Sequence, residues 1–218
     1  MLYNSACLWL RKGPQLKATD GRKARGDRAR AQILSHAIRI ASRDGLEHLS
    51  VGRLACEAGV CKSNIQILFG EKEALQIAII EYGVAMYRRE VVEPALAQPA
   101  PFARLKALAE GWYAHVEARL FPGGCFMHAL SYEYRTRPGP VRDRVEHYRK
   151  EARRRLIDLL QQAKAAREIN SSADAEQVAL ELTAFQALAN VAALMDDSGQ
   201  FELARRMSRE RLHAIQSR

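Results

Sequence analysis

Five residues within six positions, Lys62, Ser63, Asn64, Gln66 and Ile67, have side chains of the kinds that read DNA base edges. Lysine suits guanine O6 and N7, asparagine and glutamine suit adenine N6 and N7, serine pairs with either edge, and an exposed isoleucine suits a thymine methyl. The alternative for each is a phosphate contact or none. Ser50 and Lys72 flank the group and complete the candidate DNA-binding set. Lys72 falls at the start of a predicted helix, where phosphates are attracted. Catalysis has no comparable support. There is no Gly-x-Ser-x-Gly elbow, no Gly-x-Gly-x-x-Gly and no phosphate-binding glycine loop ending in Lys-Ser or Lys-Thr. A di-iron bundle needs two Glu-x-x-His pairs, and only Glu210 with His213 has that spacing. Cys7, Cys56, Cys61 and Cys125 form no Cys-x-x-Cys pair and have no histidines at zinc spacing, so they read as reduced thiols. No catalytic residue, cofactor or metal is expected.

The candidate residues need a helix that presents them. Ser50 is a good N-cap, and Val51, Leu54, Ala55 and Ala58 give the helix after it one apolar face. Gly59 ends that helix in a tight turn and returns Val60 to the core. A second helix over 62–69 then buries Ile65, Leu68 and Phe69, which leaves Lys62, Ser63, Asn64 and Gln66 outward. This is a helix-turn-helix whose second helix reads bases. A helix over 27–44 precedes it, with Ile33, Leu34, Ala37, Ile40 and Ala41 inward. A long helix over 71–96 follows, with acidic residues in its first turn.

The run from Ile33 to Leu75 resembles the DNA-binding domain of the TetR family of bacterial transcriptional repressors. The match rests on Ile33-Leu34, Ala37, Gly45, Ser50-Val51, Leu54-Ala55, Ala58-Gly59-Val60, Phe69 and Lys72-Glu73-Ala74-Leu75. The resemblance implies that Lys72 meets a phosphate. The family usually has a Tyr and a His just before the Phe, where this chain has Gln66, Ile67 and Leu68. That Tyr typically holds a DNA phosphate, so here Gln66 is expected to contact a base or a phosphate instead. Gly123-Gly124-Cys125-Phe126, followed by Glu133 and Arg137-Pro138-Gly139-Pro140-Val141-Arg142, is similar to one subgroup of TetR regulators.

The 218 residues, 48% hydrophobic, suffice for one or two domains with a real core. The formal net charge of +9 predicts a polyanionic partner. Between Arg11 and Arg30 stand eight basic and two acidic residues, six of the nine net charges, next to the helix-turn-helix. Residues 1–26 are therefore read as a basic arm that follows DNA, against the alternative of a solvated tail. MLYNSACLWL has no preceding basic residue and meets Arg11-Lys12 at once, unlike a signal peptide. No apolar run reaches the roughly 18 residues that span a bilayer. The expected location is the cytoplasm.

The fold class is all-α, about nine helices, with the reading head at 27–75 and a six-helix ligand-binding and dimerisation body at 76–218. Ala97-Gln98-Pro99-Ala100-Pro101-Phe102 is a linker, and Phe121-Pro122-Gly123-Gly124 is a break. After Val141, the positions Val145, Tyr148, Ala152, Leu156, Leu159 and Ala163 make one long amphipathic helix, with an arginine-rich outer face. A helix over 174–195 is apolar nearly all round and has to be covered twice. Leu180, Ala184, Ala187, Leu188 and Val191 are its candidate dimer face, and the last helix adds Phe201, Ala204, Met207 and Leu212 as cover. The candidate ligand pocket lies around the Gly-Gly break: Trp112, Tyr113, Phe126, Met127, His128, Tyr132, Glu133 and Phe185, with Cys125 as a possible electrophile sensor. The expected function is a dimeric, ligand-responsive repressor that leaves a near-palindromic double-stranded DNA operator when a small hydrophobic effector binds, with no membrane partner. The alternatives are a constitutive DNA-organising protein and, more remotely, a helical-bundle enzyme.

Overall fold

The first helix begins earlier than the apolar pattern suggests. The computed structural model describes residues 19–217, and in it α1 spans Thr19–Asp44 rather than starting near Asp27. Gly21 and Gly26, each worth about 1 kcal/mol less than alanine in a helix, do not stop it. Residues 19–26 of the expected arm are thus helical, while residues 1–18, Cys7 among them, lie outside the described residues. The inward stripe Ile33, Leu34, Ala37, Ile40 and Ala41 is buried. In α2 (Val51–Ala58) the Ser50 hydroxyl accepts from the Arg53 N–H, and Gly59 closes the helix at φ +65. The next helix, α3 (Lys62–Phe69), buries Ile65 and Phe69.

The long helix expected over 71–96 is α4 (Lys72–Tyr87), a π turn (Arg88–Val92) and α5 (Glu93–Leu96) in one rod. In the wide turn the Glu93 N–H donates to the Arg88 carbonyl, five residues back. α6 (Pro101–Glu117), α7 (Phe126–Glu133), α8 (Pro140–Ala165), α9 (Ala175–Leu194) and α10 (Ser198–Ile215) complete the body. With the α4–α5 rod counted once, there are nine helices and no strand among the described residues, apart from one isolated bridge between Ile169 and Gln216. The fold is all-α.

One apolar cluster joins the head to the body. It runs from Ile33 and Leu54 through Ile79 and Ile80 to Phe126, Leu130 and Val145, so packing is continuous across residues 75 and 76. A second cluster holds α5, α6, α9 and the C-terminal half of α8, and a third gathers Trp112, Tyr113, Ala189 and Phe201. Between Val145 and Leu156, α8 contributes no buried residue, and Ala152, expected on the inward stripe, is exposed. Met207 is also exposed rather than covering, whereas Phe201, Ala204 and Leu212 are buried. One expectation about membranes changes. By length and composition α9, with mean hydropathy 1.2, is apolar enough to cross a bilayer. Its Val178, Ala179, Leu182 and Ala189 are nonetheless buried within the helical body.

Candidate DNA-reading face and effector region

Burial of Ile65 and Phe69 fixes the roll of α3, and that roll leaves Lys62, Ser63, Asn64, Gln66 and Ile67 exposed, Ile67 at 81%. Exposed apolar surface of that size on a two-turn helix otherwise surrounded by polar groups suits contact with a methyl-bearing partner. Arg30 holds the helix from behind. Its guanidinium donates to the Leu68 carbonyl at 2.7 Å and lies 4.4 Å over the Phe69 ring. Lys62 also lies across Gly52, where an added Cβ would stand 3.1 Å from Lys62 Cε. Ser50 is occupied as the α2 cap. Cys61 is the exposed N-cap of α3, and its side chain makes no cap bond.

Lys72 is committed elsewhere than to an open helix end. Its Nζ donates at 2.8 Å to both the backbone carbonyl and Oε1 of Glu47, in the loop between α1 and α2. The buried Gln76 amide donates to Glu47 Oε2 at 3.1 Å and to the Leu46 carbonyl at 3.3 Å, and the Tyr134 hydroxyl donates to Glu47 Oε2 at 3.3 Å. Hydrogen bonds from Lys72 and then Gln76 hold the Glu47 carboxyl below its usual range. From the body, the Glu133 carboxylate accepts the backbone N–H groups of Leu46 at 2.9 Å and Glu47 at 2.7 Å. Glu133 is therefore a latch between body and head rather than a pocket residue. Gly45, at φ +92, makes room for it: a Cβ there would lie 3.1 Å from Glu133 Oε1.

The Gly-Gly break serves the same junction. A Cβ on Gly123 would sit 1.6 Å from the Ser42 carbonyl oxygen, so the end of α1 rests directly on this loop. On its other side the Cys125 N–H donates to the buried Asn190 of α9 at 2.7 Å. Residues 123–133 thus connect α9 to the head.

The predicted pocket set divides. Trp112 packs edge-on to His128 at 5.6 Å, with Cys125 and Phe185 in the same region. Burial pushes the Cys125 thiol up, but the neighbouring His128 imidazole outweighs it and holds the thiol below its usual range. Tyr113 instead faces α10, its hydroxyl 2.7 Å from Ser208 Oγ and donating to the Ala204 carbonyl at 3.1 Å. Phe126 packs on Gly83 and Phe121 in the cluster shared with the head. Met127 is half-buried against both the shared and the third cluster. Tyr132 is 56% exposed. Leu130 in the last turn of α7 stays fully buried, while Tyr132 faces solvent and Glu133 faces the α1–α2 loop, so neither joins the pocket. His115, three residues after Trp112 and so on the same inward face of α6, is buried and was missed, although that spacing signals it.

On α9 the residues Leu180, Ala184, Leu188 and Val191 are exposed along one stripe, with Ala187 half-buried beside it. Leu194 and Met195 extend the stripe, and Leu203 and Met207 of α10 add to the exposed apolar surface.

Residues 101–208 match the family described as tetracyclin repressor-like, C-terminal domain. The whole fold matches a TetR transcriptional regulator from Chloroflexus aurantiacus with a TM-score of 0.78 at 21% identity, over 85% of this chain and 94% of that one. The C-terminal part of the chain belongs to the TetR family. A TetR-family regulator from Cytophaga hutchinsonii gives a TM-score of 0.79 at 18% identity, over 89% and 98% of the two chains. AibR, solved in complex with isovaleryl coenzyme A and operator DNA, gives 0.61 at 20% identity over 74% and 85%. No curated protein sequence matches the chain. The TetR relatives are transcriptional regulators, and this chain shares their fold from the reading helix to α10.

Proposed function

We propose that this TetR-family protein is a cytoplasmic repressor that binds a near-palindromic operator as a homodimer and releases it when a small, largely apolar molecule enters the body. The observation that carries the reading is the latch. Two backbone N–H groups of the head are held by Glu133, on an eight-residue helix whose N-terminal end is tied to α9. A molecule wedged beside Trp112 and His128 displaces that short helix, and with it the head, so the spacing of two reading helices changes. A single head touches too few base pairs for useful specificity, and the exposed apolar stripe of α9 with α10 supplies the pairing surface. AibR, bound to both operator DNA and a small molecule, supports a response of this kind. Lys62, Ser63, Asn64, Gln66 and Ile67 read bases or phosphates, while Ser50 and Lys72 hold the frame. The test is an anisotropy titration of operator DNA at fixed salt. Asn64→Ala and Gln66→Ala are each expected to weaken binding by about 1 to 3 kcal/mol and relax base preference. Unchanged affinity and preference in both variants would remove α3 as the reading element.

A further inference from the structure

Among the described residues three side-chain atoms are closed off from solvent without a hydrogen-bond partner, Glu90 Oε2, His115 Nδ1 and His128 Nδ1, and the first two face each other. They stand 3.9 Å apart, beyond hydrogen-bond distance, and the His115 side chain is only 3% exposed. Buried polar groups are normally paired, and these two face each other without meeting. The surrounding backbone is unusual in the same place. Glu90 sits on the π turn, a wide turn of a kind that recurs at functional sites. Gly111 lets α6 close against it, since a Cβ there would come within 3.0 Å of Val91 Cγ1. Aromatic rings flank the imidazole edge-on, Tyr87 at 5.4 Å and Phe121 at 5.5 Å.

The charges select the missing group. Burial pushes His115 below its ordinary pKa, more than the Glu90 carboxylate pulls it up, so the imidazole is neutral and the two do not form an ion pair. The other Glu90 oxygen already accepts from Arg89 at 3.1 Å, so its charge has a cation. What remains is a gap between one acceptor and a neutral nitrogen able to donate. An oxygen about 2.8 Å from each atom fits a separation of this size.

We propose that the Glu90–His115 gap receives the hydroxyl group of a small, uncharged, largely apolar effector. The hydroxyl donates to Glu90 Oε2 and accepts from His115 Nδ1–H, while Tyr87 and Phe121 flank the apolar remainder. The inference rests on reading the body as an effector domain and deepens it by naming the ligand's chemistry.

Benzyl alcohol, ethylbenzene and benzylamine differ at one terminal group and serve as probes of the full-length protein. Calorimetry measures their affinities, and 15N-histidine spectra report on the imidazole directly, with His115→Phe assigning its signals. Benzyl alcohol is expected to move the His115 resonances and to bind at least about tenfold more tightly than ethylbenzene, an advantage that Glu90→Gln reduces. Equal affinity for alcohol and hydrocarbon, tighter binding of the amine, unmoved His115 signals, or no binding of benzyl alcohol would each overturn the proposal. Unmoved signals would mean that a water alone bridges the gap. None of these measurements uses DNA, so their failure leaves the repressor reading to its own operator titration.

Discussion

Replacing Glu133 by alanine removes both acceptors that the body offers to the α1–α2 loop and leaves the Leu46 and Glu47 N–H groups to find water. A hydrogen bond to a charged group contributes about 1.5 to 3 kcal/mol, and the half-buried setting favours the low end, so two such bonds come to about 3 kcal/mol. That is roughly a hundredfold in the docking of head on body. For a chain of this size the melting temperature should fall by about 6 to 12 °C. Glu133→Gln should fall between the wild type and Glu133→Ala, since one amide oxygen still accepts while the amide nitrogen faces a donor. Calorimetry reads the melting temperature, and amide hydrogen exchange reads the latch itself. Exchange at Leu46 and Glu47 should accelerate by up to about a hundredfold, while exchange in α9 and α10 is unchanged. If Glu133→Ala melted within about 1 °C of the wild type and left both amides protected, the two bonds would carry no coupling.

Other expectations follow from the same geometry. The Glu47 carboxyl is depressed by its partners, so its contribution is complete above the ordinary carboxylate value of about 4.3 and is lost as pH falls through the lower folded value. Melting temperatures between pH 6 and 3 should therefore decline, and Glu47→Gln should make the decline shallower. Gly123→Ala drives a Cβ into the Ser42 carbonyl and should destabilise the protein. Gly26→Ala, with open space around it on an exposed helix, should stabilise it by up to about 1 kcal/mol; calorimetry of both variants checks the pair. Leu188→Glu puts a charge in the proposed dimer face, and sedimentation should report monomers with unchanged circular dichroism. A persistent dimer would move the interface elsewhere.

Periodicity and capping determined the helices and the side of α3 that faces solvent. Ser50, Gly59 and the i, i+3, i+4 apolar positions are local signals, so α2, α3 and the exposure of Lys62, Asn64 and Gln66 were legible without a fold. The stripe on α9 was legible for the same reason, because a helix apolar on two sides leaves one outward when the other packs into the body. Local signals do not say where a helix stops in space. Tyr132 and Glu133 follow His128 on one helix and looked like its neighbours in a pocket, yet Tyr132 faces solvent and Glu133 reaches the α1–α2 loop. Lys72 likewise lies at a helix N-terminus in sequence, and only the fold brings Glu47 to its ammonium. Contacts between residues 86 and 87 positions apart, such as those of Glu133 with Glu47 and Leu46, depend on how rods pack. Sequence spacing carries no information about that distance, because rigid helices joined by turns can be laid side by side in many ways until their apolar faces choose one.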